Sequence, residues 1–178
     1  MPKSKVEWKA IAKDCQVPSM GGIALCSGRQ PQAEAHRWIE TLPKSLFSGA
    51  LSAGSYAVLG LGAGFHVAAL ADRYPGSTFF VFDFVDELKA HFLQNFSLKK
   101  NIEILIDHEI DQFLTSFRPE SFVAILNFLP ALQWHSAEFK DLSIKIFGTQ
   151  TANKIILDKD KLDPRKQLIW EVLGEMIR

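Results

Sequence analysis

One segment of the chain, residues 56–83, constrains the fold more than any other feature. The apolar run Tyr56–Leu59 leads directly into Gly60-Leu-Gly62-Ala-Gly64, and a helical pattern of apolar residues follows the glycines. A second apolar run, Thr78–Phe82, then ends at Asp83. Apolar strands joined by a helix are typical of a parallel sheet that is buried on both faces.

The same alternation of helices and strands continues on both sides of this segment. Helical spacing runs from Pro31 to Leu42 and over 85–95, 109–117 and 136–148, while apolar runs at 102–106, 122–126 and 154–157 indicate strands. The sequence therefore predicts an α/β fold: a doubly wound, Rossmann-like parallel sheet of five to six strands with helices on both faces.

A length of 178 residues, of which 47% are apolar, favours a single domain spanning 1–178. Within it we expect an N-terminal extension over 1–54, a core sheet over 55–157 and a closing amphipathic helix over 163–177. The extension would hold an opening helix over 4–13, a strand or extended entry segment at 22–26 and, after the helix from Pro31, a loop over 44–54. The closing helix either packs on the sheet or offers a surface for a homodimer or a protein partner.

Charge and composition narrow the range of partners. The net charge is zero, and residues 51–133, which hold the glycine motif, carry nine acidic and five basic side chains. Nucleic-acid binding is therefore disfavoured, because it needs a basic surface. The sequence has neither a run of about 18 apolar residues nor a signal peptide, so we expect no membrane contact and a cytoplasmic location. Two cysteines and scattered histidines predict no metal site.

The glycine segment has the chemistry of a small-molecule site. Glycine allows a tight turn and lets a ligand approach the backbone, and the helix that follows offers N–H groups to an anionic group. Asp83 lies 23 residues after Gly60, where an acid can accept hydrogen bonds from ribose hydroxyls. The alternative is that the glycines only allow a strand and a helix to pack closely.

His66 lies in the first turn of the helix after the glycines. The positive end of the helix dipole should lower its pKa and favour the neutral imidazole. Two roles are open for it. The ring either contacts an anionic group of the ligand, as donor or general base, or it braces the glycine loop.

The segment Val58–Gly64, together with Val81-Phe82-Asp83, resembles the first two motifs of class I S-adenosylmethionine-dependent methyltransferases. That resemblance implies a methyltransferase-like sheet and S-adenosylmethionine, or another nucleotide-type ligand, as cofactor. It also places Asp107, just after the third strand of the core sheet, where an adenine-contacting acid would lie. The predicted cofactor-binding residues are thus Gly60, Gly62, Gly64, His66, Asp83 and Asp107.

A second resemblance extends from residue 27 to about residue 110. Ser27-Gly-Arg-Gln-Pro31 with Glu34-Ala35, followed by the glycines and the pair Phe65-His66, is similar to the N-terminal domain of bacterial motility accessory factors. Those proteins are linked to flagellin glycosylation, and the resemblance implies a Rossmann-like domain with a ligand cleft.

Three functions follow from these patterns. The first is a nucleotide- or S-adenosylmethionine-binding domain of a motility accessory factor-like protein, without a recognisable catalytic set. The second is an S-adenosylmethionine-dependent methyltransferase, which is the favoured chemistry if the chain is an enzyme. The third is a non-catalytic interaction module. The residues leave open which ligand binds and whether any reaction is catalysed.

Overall fold

The structure is a computed structural model, and it describes residues 5–12, 15–117 and 121–151. The chain divides into two compact units, Met1–Trp134 and His135–Arg178, and each is described separately. The prediction of a single domain is not tested by this division.

A three-stranded antiparallel sheet opens the chain, where the sequence predicted a helix over 4–13. Strand β1 (Val6–Ala12) pairs with β2 (Cys15–Met20), and β2 pairs with the two-residue strand β3 (Ile23–Ala24). The helix prediction was wrong because a short apolar pattern fits either period. Pairing with a second strand decided the outcome.

The central sheet is parallel and has four strands. They are β4 (Ser55–Leu59), β5 (Thr78–Asp83), β6 (Ile102–Ile106) and β7 (Phe122–Asn127), in the order β6-β5-β4-β7. The side chains of Tyr56–Leu59 are all buried, so both faces of β4 are covered. The predicted α/β parallel sheet is confirmed, with four strands among the described residues.

Helices follow the strands as the sequence predicted. Those of the first unit are α1 (Pro31–Thr41), α2 (Phe65–Arg73), α3 (Asp86–Asn95), α4 (His108–Ser116) and the short α5 (Leu129–Leu132). Helix α1 begins at its proline, as expected for a first helical residue, and packs against α2. The sequence did not predict α5, and the expected loop over 44–54 contains two 3₁₀ turns.

The described part of the second unit is helix α6 (Ser136–Thr151). It continues past Gly148, where the sequence predicted its end. A single glycine inside a helix costs only about 1 kcal/mol and does not have to end it. The predicted strand at 154–157 and the closing helix over 163–177 lie outside the described residues.

Candidate functional site at the carboxyl edge of the sheet

The register of the parallel sheet brings the predicted site residues to one edge. Leu59 pairs with Phe82 on one side and with Asn127 on the other, while Asp83 pairs with Ile106. All four strands therefore end at the same level. Ligands of open α/β sheets bind outside this edge.

The glycine loop between β4 and α2 is held by its own backbone hydrogen bonds. Gly60, Gly62 and Gly64 have φ angles of 86°, 49° and 85°, a region that favours glycine. The Gly60 N–H donates to the Phe82 carbonyl at 3.0 Å, and the Gly64 N–H donates to the Leu61 carbonyl at 2.8 Å. These bonds attach the loop to the end of β5 and close its turn.

Protein atoms occupy the space beside each glycine. A Cβ added at Gly60 would lie 2.7 Å from the Ala131 Cβ, and one at Gly62 would lie 2.6 Å from the Leu25 carbonyl oxygen. A Cβ at Gly64 would overlap the ring of Phe92. The loop itself is buried throughout. In this structure the glycines therefore allow close packing, which was the alternative to ligand contact.

Asp83 is buried at the end of β5 and bonded to the glycine loop. Its Oδ2 accepts the Leu61 N–H at 2.7 Å, and its Oδ1 accepts the Phe84 N–H, also at 2.7 Å. The acid and the loop are thus one hydrogen-bonded unit. The ribose contact that the spacing of 23 residues suggests for Asp83 stays a prediction. A carboxylate oxygen can accept more than one hydrogen bond, so this arrangement is compatible with further donors.

His66 lies behind the glycine loop in a buried aromatic environment. Its ring stacks on Phe128 with 3.8 Å between centroids and meets the edge of Trp38. Because a carbonyl only accepts, Nε2 donates a hydrogen bond to the Gly60 oxygen at 2.9 Å. Burial lowers the pKa of His66 to about 3, against a smaller raising effect of that hydrogen bond. The imidazole is therefore neutral, through burial rather than through the helix dipole.

Asp107 differs from the other predicted site residues because it is exposed. It follows β6 with a φ of 25°, the one non-glycine residue in the described part of the chain with a positive φ. Its N–H donates to the Asp83 carbonyl at 3.1 Å. Asp107 thus lies next to Asp83 but on the exposed rim of the sheet's carboxyl edge.

An ion pair that the sequence did not predict holds this rim. The Lys89 ammonium lies 2.6 Å from Glu109 Oε2, and the same oxygen accepts the Ile106 N–H at 2.8 Å. The hydrogen bond from Lys89 is the largest effect that lowers the pKa of Glu109. The sequence signal was an acid in the first turn of α4, which is too common to identify a role.

Asn127 and Trp38 complete the edge on the side of β7. The Trp38 Nε1–H donates to the Asn127 carbonyl at 2.9 Å, which ties α1 to the end of β7. Among the described residues, the Asn127 Oδ1 is the one buried side-chain oxygen or nitrogen without a hydrogen-bond partner. Trp38 lies within the helix predicted from Pro31 to Leu42, and helical spacing carries no signal of this contact.

The described residues contain no group of three or more His, Cys, Asp or Glu side chains arranged to hold a metal ion. Within the same residues, every helix is too short or too polar to cross a membrane.

Comparison with known proteins finds similarity to solved structures. No family model matches the sequence, and no curated protein matches it. A solved structure described as a probable spermidine synthase from Corynebacterium glutamicum matches with a TM-score of 0.55 at 23% identity. The match covers 81% of this chain but 57% of the neighbour, so the chain spans little more than half of its length. This likeness shows a methyltransferase-like α/β fold.

Proposed function

We propose that this chain is a methyltransferase-like domain that binds an S-adenosylmethionine-type ligand at the carboxyl edge of its sheet. The observation that carries the proposal is the hydrogen bond between Asp83 and the Leu61 N–H. It joins the two elements that adenosyl recognition requires, a glycine turn before a helix and an acid at the end of the next strand. The fold of the spermidine synthase neighbour supports the same assignment.

Each predicted residue takes a role in this proposal. The N-terminal end of α2 faces the methionine end of the ligand, and Asp83 accepts the ribose hydroxyls. Asp107, exposed on the rim, approaches the adenine. His66 acts as a positioning residue because its hydrogen bond to the Gly60 carbonyl fixes the loop.

Ligand entry then requires the cover over Gly62 to move. That cover is the segment from Leu25 to Ser27, and it is fixed by the Leu25 N–H to the Pro18 carbonyl and by the Ser27 N–H to Glu34 Oε2 at 2.6 Å. If the open form is a minor population, the measured affinity falls in proportion to that population. The proposal thus predicts weaker binding than a preformed site would give.

The test is a calorimetric titration with S-adenosylhomocysteine, repeated on Asp83→Asn and on the control Asp86→Asn. Asp86 is an exposed acid in the first turn of α3. Asp86→Asn therefore removes one negative charge, as Asp83→Asn does, without changing a contact of the loop. The proposal predicts binding by the wild type and by Asp86→Asn, and at least tenfold weaker binding by Asp83→Asn. Equal affinity for all three proteins, or no binding by the wild type, would contradict it.

A second candidate is a non-catalytic interaction module. The observation that favours it is the occupied space beside the three glycines, because a loop filled by protein atoms needs no ligand to complete its packing. It predicts no binding of S-adenosylhomocysteine by the wild type under any condition in which the chain is folded. The titration above therefore decides between the two.

The finer assignment to motility accessory factors rests on the sequence resemblance alone. It predicts binding of a nucleotide sugar in addition to, or in place of, the adenosyl compound. A parallel titration with uridine diphosphate N-acetylglucosamine and cytidine monophosphate N-acetylneuraminic acid tests this. Binding of either one, sensitive to Asp83→Asn, would support the link to glycosylation, and the absence of binding would remove it.

A further inference from the structure

A cleft of about 210 Å³ lies between the start of β2 and helices α1, α2 and α3. None of the glycines, His66, Asp83 or Asp107 lines it. Its volume is below the roughly 300–1,000 Å³ of sites for drug-sized ligands. The cleft has room for one small ring system rather than for a whole cofactor.

Flat rings form one part of the cleft. Phe65 and Phe96 lie with 5.2 Å between their centroids in an edge-to-face arrangement. His91 also lines the cleft, and its ring is stacked on Trp8 with 3.8 Å between centroids. Aromatic walls of this kind favour a flat ligand that can stack or meet a ring edge.

Carboxamides form the other part. Gln16, Gln32 and Asn95 line the cleft, and each side chain carries one acceptor oxygen and two donor hydrogens. Asn95 Nδ2 donates to the His91 carbonyl at 2.8 Å and lies 3.1 Å from His91 Nδ1. Since the carbonyl can only accept, the amide orientation is fixed, and His91 Nδ1 accepts as well. Asn95 Oδ1 therefore remains as an acceptor, and the His91 proton is on Nε2.

The described lining residues carry no charge at neutral pH. Burial lowers the pKa of His91, so its imidazole is neutral, and burial raises the pKa of the Cys15 thiol. The remaining lining groups are phenyl rings and carboxamides. Among these described groups a charged ligand finds no partner of opposite charge, whereas a polar, uncharged one finds several donors and acceptors.

We propose that this cleft binds a neutral, planar nitrogen heterocycle of the size of a single nucleobase. Carboxamide side chains pair with the donor and acceptor edge of a base, and aromatic side chains stack on its faces. The combination of the two, in a cleft too small for a nucleotide, indicates the class of ligand. The inference does not rest on the proposed adenosyl site, because none of the six predicted cofactor-binding residues lines the cleft.

The test is a titration of the full chain with adenine, hypoxanthine, cytosine and uracil, followed by the fluorescence of its tryptophans. Benzoate is the control ligand. Its ring is of similar size but has no ring nitrogen, and it carries a negative charge. At least one base should bind in the millimolar range or better, and benzoate should bind at least tenfold more weakly. No binding of any base, or equal binding of benzoate, would overturn the proposal.

Variants then locate the binding. Gln32→Ala and Asn95→Ala should each weaken base binding roughly threefold to tenfold, as the loss of one hydrogen bond would. Gln94→Ala, at an exposed position beside Asn95 that does not line the cleft, should leave the affinity unchanged. If neither cleft variant weakens binding, or if saturating S-adenosylhomocysteine competes with the base, the base occupies another site and the proposal fails.

Discussion

The carboxyl ends of β4 and β5 are buried, whereas the turn after the neighbouring strand β6 is exposed. At the end of β4 and β5, the glycine loop, His66 and Asp83 are buried and bonded to one another. At the end of β6, Asp107 is exposed, and the partly exposed pair of Lys89 and Glu109 holds the turn. The strands are adjacent and parallel, so the difference arises from what packs over each end and not from the sheet.

This contrast shows which of the two ends depends on close packing for its stability. The buried end depends on groups that cannot be replaced without loss of packing, because each glycine faces protein atoms. The exposed end depends on contacts that water can replace. Substitutions at the two ends should therefore differ in their effect on stability, even where they remove similar groups.

The largest effect is expected at Gly62. Gly62→Ala places a Cβ against the Leu25 carbonyl oxygen and keeps a φ of 49°, so it combines overpacking with backbone strain. We expect a loss of about 2–5 kcal/mol in the free energy of unfolding. Gly49→Ala is the matched control, because Gly49 has a φ of 57° but nothing within 4 Å of the added Cβ. It should lose only about 1–2 kcal/mol.

Urea denaturation of both glycine variants measures this difference. Equal losses would mean that the loop relaxes away from Leu25. The buried end would then be no more tightly packed than an exposed turn.

A smaller effect is expected from the two acids. Asp83→Asn removes an acceptor from one of the backbone N–H groups of Leu61 and Phe84, which should cost about 1–3 kcal/mol. Asp107→Asn changes an exposed side chain and should stay within about 0.5 kcal/mol of the wild type. The same denaturation measurement applies, and a larger loss at Asp107 would reverse the comparison.

The buried end should also be sensitive to acid through His66. Its folded pKa of about 3 lies below the unfolded value of 6.5, so the unfolded chain binds a proton that the folded chain does not. The resulting stability is complete above pH 6.5 and falls by about 1 kcal/mol per pH unit as the pH drops from 6.5 toward 3. Denaturation at pH 7, 6 and 5 should show this slope in the wild type and a reduced slope in His66→Gln. Identical slopes would show that His66 does not titrate on unfolding.

The smallest effect is expected at Glu109. Its carboxylate is about one-third exposed, so Glu109→Gln should cost less than about 1 kcal/mol. Lys89 lowers the pKa of Glu109, so this contribution is present above the unfolded pKa near 4.5 and is lost as the pH falls below it. In 1 M salt the difference between wild type and variant should shrink, and a difference that persists would mean that the pair is better shielded than its exposure indicates.

The parallel sheet could be predicted from the sequence because its signals are local and repeated. The run at Tyr56–Leu59 and the run ending at Asp83 are short and apolar, and the glycines between them mark the turn between strand and helix. Together these signals favour two buried strands. The same signals predicted that Asp83 ends the second of these strands. Each inference needed only a short segment of chain.

The packing at the edge could not be predicted, because it depends on contacts between distant segments. Leu25 lies over Gly62 and Ala131 lies beside Gly60, at separations of 37 and 71 residues. The opening strands were missed for a different reason: residues 6–12 pair with the nearby residues 15–20, and a short apolar pattern does not distinguish a paired strand from a helix. Whether a glycine contacts a ligand or a neighbouring segment is a property of the tertiary fold.

Amide hydrogen exchange with and without S-adenosylhomocysteine tests the central claim most directly. Without ligand, the N–H groups of Gly60, Leu61 and Gly64 should exchange slowly, because each is hydrogen-bonded in the buried loop. With ligand, the account predicts further slowing over residues 60–66 and at Asp83, and no change over β1. Exchange that is identical with and without ligand throughout the loop would contradict an adenosyl site at this edge.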